Sequence, residues 1–69
     1  MSYRIFKRKP YRRTGWGYAS DPHARCTTIR RGVATEDEAR EICSHGPANV
    51  ALKEGREYRH LSFYEFTRE

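Results

Sequence analysis

Three groups of side chains in this 69-residue sequence have types and spacings that could do chemistry. The densest interleaves cations with rings: Tyr3, Arg4, Phe6, Lys7, Arg8, Lys9, Tyr11, Arg12, Arg13, Trp16 and Tyr18. Phosphates require cations, and unstacked bases require flat π surfaces on which each stacked base contributes roughly 1–3 kcal/mol. A strand carrying both could lie along a nucleic-acid backbone or against a loop. Arg30 and Arg31 extend the cationic set into a later strand. The plainer alternative makes the rings the core, because aliphatics are scarce, and gives the arginines to solubility. No RNP1 sequence, GXXG clamp, helix-turn-helix or zinc-finger pattern accompanies the set.

The second group is His23-x-x-Cys26 with Cys43-x-His45, two imidazoles and two thiols of the kind tetrahedral zinc takes. Cys-x-His is tighter than the usual knuckle spacing, and the two pairs fall on different elements. Cys43 also belongs to a helical apolar stripe, where a free Cys behaves as a small buried hydrophobe. The expectation is no metal and no other cofactor. A thiol–imidazole pair drawn from these cysteines and His23, His45 or His60 is conceivable. Two Cys and three His give such pairings by chance, however. No G-x-S-x-G elbow, P-loop or H-E-x-x-H is present, and a chain this short has little room for a deep pocket. Enzymatic activity is not expected. The third group, Glu36, Asp37, Glu38 and Glu41, sits at a helix start, where capping and the helix dipole explain it. A docking role for these acids toward a basic partner is the lesser reading.

The composition bounds what must position these groups. Ile, Leu, Val and Phe number only 10 of 69, a fraction at which disorder becomes a live alternative. A net charge of only +5 and 13% aromatics argue for a folded chain whose core is built largely from Tyr, Phe and Trp. The expectation is one domain over residues 1–69. Residues 1–33 hold nine basic groups against Asp21 alone, net +8, while residues 34–69 hold five basic and eight acidic groups, net −3. That asymmetry points to an anionic partner for the first half. Eleven of the fourteen basic residues are Arg, which forks onto phosphate where Lys is a point charge. No apolar run reaches the roughly eighteen residues of a membrane span. The first residues read as no secretory leader, and two cysteines are too few for a disulfide framework. A cytoplasmic protein with reduced thiols and no membrane partner is expected.

One helix is marked clearly, over about residues 36–45. Thr35-Glu36-Asp37-Glu38 is a capping box, with the Thr35 hydroxyl accepting from the Glu38 N–H and the Glu38 carboxylate reaching back. Ala39, Ile42 and Cys43 follow at helical spacing. Gly46 suits the left-handed C′ position, and Pro47 blocks continuation. Residues 3–8, 25–33 and 57–66 read as strands. Lys53-Glu54-Gly55-Arg56 reads as a hairpin turn with a short partner strand over Val50–Leu52, and residues 10–24 as loop or irregular edge. The fold class is α+β, a small antiparallel sheet of three to four strands with one helix packed on one face, ββαβ or ββαββ. One helix roofs one face only, so the other face is expected to present arginines and rings to solvent.

Trp16-Gly17-Tyr18, Ser20-Asp21-Pro22-His23, Thr28-Ile29-Arg30-Arg31-Gly32-Val33 and Glu38-Ala39-Arg40-Glu41-Ile42-Cys43 together resemble small accessory proteins encoded by bacteriophages of actinobacteria. The resemblance spans roughly residues 3–45 through short pieces. The last third departs from it, because Leu61-Ser62-Phe63-Tyr64-Glu65-Phe66 only faintly echoes the acidic Trp-Phe…Gly-Tyr close of those proteins. It implies a phage accessory product acting in a bacterial host cytoplasm, with no catalytic residues.

The expected function is therefore a non-enzymatic small basic binding protein contacting nucleic acid. Arg4, Arg8, Arg12, Arg13, Arg30 and Arg31 would meet phosphates, with Tyr11, Trp16 and Tyr18 stacking or packing at the contact. The runner-up is a host-takeover or anti-defence protein that binds and inhibits a bacterial host protein stoichiometrically. A third reading pairs an open sheet edge with a second copy, as a homodimer.

Overall fold

Two antiparallel runs, both interrupted at the same level, set the shape of the computed structural model, which describes residues 1–69. The first run is β1 (Tyr3–Arg8) followed by β2 (Tyr11–Thr14); the second is β3 (Gly17–Ser20) followed by β4 (Thr27–Val33). β1 pairs with β4 from Tyr3↔Val33 to Lys7↔Thr27, and β2 pairs with β3 from Tyr11↔Ser20 to Thr14↔Gly17. Between these ladders stand Lys9-Pro10 on one side and residues 21–26 on the other. Pro10 has no N–H to give a ladder, and the strands rejoin where the Asp21 N–H donates to the Pro10 carbonyl at 2.7 Å. β2 and β3 thus form a separate two-stranded arm beyond a three-stranded sheet of order β4-β1-β5. Residues 10–24, expected as loop, hold this hairpin, its two-residue turn made by Gly15 and Trp16. The molecule measures 43 × 27 × 13 Å, and its radius of gyration of 12.9 Å exceeds the roughly 11 Å of a compact chain this long.

α1 (Glu36–Cys43) forms where the sequence marks it. The Thr35 hydroxyl accepts from the Glu38 N–H at 3.2 Å, but the Glu38 carboxylate turns to Arg30 at 3.6 Å instead of closing the capping box. α1 lays Ala39 and Cys43 over Ile5 and Val33, with Tyr3, Ile42, Tyr64 and Phe66 half-buried around them. The fully buried side chains are therefore small, not the expected core of rings. Two short helices roof too little area to enclose a Tyr or Phe, so the rings form a rim about an aliphatic centre.

A second helix replaces the expected turn and strand at Val50–Arg56. α2 (Pro47–Lys53) begins with Pro47 in its first turn, where a missing N–H costs nothing. It ends in a Schellman motif: Arg56 N–H donates to Ala51 C=O at 2.8 Å and Gly55 N–H to Leu52 C=O at 3.2 Å, with Gly55 at φ 72°. Gly55, not Gly46, takes the left-handed position. Gly46 is extended at φ −62°, ψ 143°, and is the N-cap of α2. It is buried against Tyr64, where a Cβ would stand 2.8 Å from the ring and would collide with Asn49 Oδ1. The expected single-helix layout is thus corrected to α+β with two helices.

β5 (Phe63–Arg68) starts six residues later than the 57–66 reading and pairs with β1 from Arg8↔Phe63 to Tyr3↔Arg68. Its outer edge is occupied at Tyr64, whose N–H donates to Asn49 Oδ1 at 2.9 Å and whose C=O accepts from Asn49 Nδ2 at 3.2 Å. Ala48 N–H donates to Ser62 C=O beside them at 2.9 Å. The opposite edge of the sheet is β4, whose ladder with β1 is broken by register shifts. No helix is long and apolar enough to cross a membrane.

Candidate functional site

The sheet face away from α1 carries Arg4, Phe6 and Arg8 of β1 beside Phe63, Glu65 and Thr67 of β5, by the register of the two strands. It is not a free arginine surface. Arg8 forks onto Glu65, which raises the Arg8 pKa above its ordinary value through that hydrogen bond and the carboxylate's charge. Arg4 lies 5.7 Å over the Phe6 ring. Phe63 meets Tyr58 edge-on at 5.8 Å, and Tyr58 meets Tyr11 at 6.1 Å. The face expected to offer rings and cations outward has used most of them on each other.

Most of the cations without a carboxylate partner lie on the arm and at its foot, Arg4, Lys53 and Arg68 being the others. β2 and β3 alternate, so Arg13 shares a face with Tyr18 while Arg12 shares the opposite face with Ala19. Both arginines are exposed, and neither has a carboxylate partner. Trp16, at the turn, is 101% exposed. On the inner face, Arg59 lies 5.0 Å over the Tyr18 ring, which together with Tyr11–Tyr58 moors the arm to the segment preceding β5. Arg59 is itself held by Glu57 at 2.8 and 3.0 Å. The Arg59 side chain and backbone N–H bring the Glu57 carboxyl down from 4.5 to about 2. Lys9, Arg12, Arg13, Arg59 and His60 line an open depression of about 320 Å³ with Tyr11 and Tyr18.

The break between the two ladders forms a second open basin, of about 490 Å³, at the foot of the arm. Lys7, Arg8, Lys9 and Arg25 line it, with Asp21 the one carboxylate among them. Asp21 is engaged locally, accepting the His23 N–H at 3.1 Å in a side-chain turn. Lys7, Lys9, Arg12, Arg13 and Arg25 therefore stand together without ion-pair partners.

Of the residues singled out from sequence, Tyr11, Arg12, Arg13, Trp16 and Tyr18 converge on the arm, and Arg8 borders the basin. Arg4, Arg30 and Arg31 do not join them. Arg30 is on the helix side with Glu38, and Arg31 reaches Glu69 at 3.8 Å at the far end of the sheet. Sequence reasoning missed Arg25, Tyr58, Arg59 and His60. The hairpin signal Gly15-x-Gly17 between Tyr-Arg-Arg-Thr and Tyr-Ala-Ser would have found Arg25, because closing that hairpin returns the chain past Lys9. Nothing local marks the other three.

The candidate zinc residues do not assemble. Cys43 is buried under α1, where burial pushes its thiol pKa up. His45 sits 3.2 Å from Glu41 at the end of that helix, while Cys26 is exposed in the segment before β4. No three His, Cys, Asp or Glu side chains come together in a metal-holding arrangement. No family model, curated protein or solved structure matches this chain.

Proposed function

We propose that this chain is a non-enzymatic basic binding protein that contacts nucleic acid through the β2–β3 arm and the basin at its foot, in the manner of a phage accessory factor working in a bacterial cytoplasm. One observation carries the reading: of the eight cations without a carboxylate partner, five gather on the arm and at its foot, while Arg4, Lys53 and Arg68 are spread over the rest of the molecule. Arg8, Arg30, Arg31, Arg40, Arg56 and Arg59 have carboxylate partners. The arm and its foot carry five that do not, beside a bare indole. Unneutralised charge held close together repels itself; the phosphates of a polyanion neutralise it, and the counterions they release add a favourable entropy. Catalysis has no place in this reading, because the surface depressions are open and the nucleophiles and bases are scattered.

The test is a salt titration. Five phosphates neutralised by Lys7, Lys9, Arg12, Arg13 and Arg25 give a log–log slope of about −4.5 on duplex DNA or about −3.5 on single strands. The Arg12→Ala, Arg13→Ala double variant should lower that slope by about 1.4–1.8 without altering the circular dichroism spectrum. A flat slope, or no complex with any DNA or RNA at about 50 mM salt, overturns the reading.

A second reading, one-to-one inhibition of a bacterial host protein, draws on the same Trp16, since a lone exposed indole also suits a pocket in a protein partner. Capture from a bacterial lysate separates them: a partner retained after nuclease treatment favours the protein, and one lost favours nucleic acid. Pairing with a second copy has β4 as its available edge, because Asn49 occupies that of β5.

A further inference from the structure

We infer that the β2–β3 arm enters the major groove of double-stranded DNA, with Trp16 at the groove floor and Arg12 and Arg13 on the two phosphate rows beside it. This rests on the reading of the basic end as a nucleic-acid interface and adds what kind of nucleic acid it takes.

The first argument is which rings are free. Proteins that hold single strands stack successive bases on several exposed aromatic faces. Here Tyr11, Tyr58 and Phe63 meet edge to face, Tyr18 lies beneath Arg59, Phe6 lies beneath Arg4, and Tyr3 meets Phe66 edge-on at 5.9 Å. Trp16 alone is bare, at the end of a projection. One ring at a tip is a probe, where a row of rings on a sheet would be a platform.

The second argument is the placement of charge. Arg12 and Arg13 are consecutive strand residues, so they leave opposite faces of the arm, as their pairing with Ala19 and Tyr18 records. A surface lying flat on a backbone meets phosphates on one side. A ribbon inside a groove meets them on both. Lys7, Lys9 and Arg25 sit where the arm joins the sheet, outside such a groove and facing its rim.

The third argument is dimensions. Four strand residues span about 13 Å, while the major groove of B-form DNA is about 8.5 Å deep and about 12 Å wide and admits a two-stranded ribbon. Beside Arg12, the outer face of the arm carries only Thr14, Gly17 and Ala19, by the same alternation. The inner face is backed by Tyr58 and Arg59, so the slim part that enters is the outer face with the Gly15-Trp16 turn. The major groove of A-form RNA is too deep and narrow for side chains to read. The geometry therefore separates duplex DNA from duplex RNA as well as from single strands.

Trp16 is the sole tryptophan, so its fluorescence reports the arm directly. The experiment titrates the full chain with a short duplex DNA, a duplex RNA of the same sequence and one of the single DNA strands, at one salt concentration. Expected is binding to duplex DNA about tenfold tighter than to the other two, with Trp16 shielded from acrylamide quenching in that complex. Trp16→Ala should weaken duplex DNA binding about fivefold or more, a larger factor than its effect on single-strand binding. Arg12→Ala and Arg13→Ala should each weaken it by similar factors. All three side chains are exposed, and unchanged circular dichroism certifies the variants. Equal or tighter binding to single strands or duplex RNA overturns the inference, as does a bound Trp16 still open to acrylamide, or a loss carried by one arginine alone. Those results leave the nucleic-acid reading standing. Failure to bind any of the three nucleic acids removes both.

Discussion

The two ends of this molecule hold themselves together by different means. At the helix-roofed end, Ile5, Val33, Ala39, Cys43, Ala48 and Ala51 are buried, and Asn49 closes the sheet edge. Carboxylates there neutralise Arg30, Arg31 and Arg40. The arm end buries no residue from Lys9 to Thr27. It is held by four ladder pairs, the Asp21–Pro10 hydrogen bond, and two ring contacts reaching from Tyr58 and Arg59. An isolated two-stranded hairpin is marginal in water, so the arm borrows its order from the sheet beside it. One end uses its side chains to fold, and the other leaves Lys9, Arg12, Arg13, Trp16 and Arg25 exposed.

The contrast is broken most directly by truncating one residue at each end. Ile5→Ala, at the centre of the middle strand, should cost about 2–5 kcal/mol, which is most of the about 3–5 kcal/mol available to a chain of this size. Trp16→Ala should stay within about 0.5 kcal/mol. Urea melts of the two variants read both numbers, and comparable losses would mean that the arm belongs to the core. The cysteines offer the same comparison without mutation. Cys26 should react with a thiol reagent in the native protein, and Cys43 roughly a hundredfold more slowly, because it is largely covered beneath α1 and reacts fastest when that helix opens. Equal rates would place Cys43 at the surface.

Gly46→Ala tests the corner that holds the two helices against Tyr64. Its Cβ would meet Asn49 and the Tyr64 ring well inside van der Waals contact, so a loss of about 1–3 kcal/mol is expected, with the β5 edge released. Unchanged stability would mean that the corner moves freely. The smallest effect concerns Glu57, the anchor of Arg59 under the arm. Its folded pKa of about 2 lies below its ordinary 4.5. The stabilisation is thus complete above about pH 4.5 and disappears as pH falls through about 2. A carboxyl NMR titration should find Glu57 still ionised at pH 3, and a midpoint near 4.5 would show that the Arg59 clamp, and its hold on Tyr18, is absent in solution.

Legibility in the sequence followed how local each determinant is. The Thr35 cap and the Ala39–Cys43 spacing mark α1 within one window, alternation marks β1, and a run of β-branched side chains marks β4. α2 was legible too, since Pro47 at a first turn and Gly55 just past the end are an ordinary helix signature. Gly46-Pro47 suits the end of α1 equally well, however, and on that reading Gly55 becomes a turn. The arm was obscured because Gly-Trp-Gly resembles loop composition, although the residues on either side pair one to one. Of the site, Arg12, Arg13 and Trp16 could be named from type and spacing alone. Arg25 follows once the Gly15-x-Gly17 hairpin is read, whereas Tyr58, Arg59 and His60 could not be named, because they arrive from segments up to 49 residues away along the chain (Tyr11 to His60).

By itself the sequence determined the α+β class, the first helix with its cap, and the concentration of positive charge in the first half of the chain. All of these follow from nearest neighbours and composition. Tertiary structure alone decided which charges of that first half remain available. An arginine is neutralised only where folding brings a carboxylate within a few ångströms, as Glu65 comes to Arg8 and Glu69 to Arg31. No local pattern encodes that meeting, so the same run of arginines reads identically whether the folded protein has quenched it or left it bare.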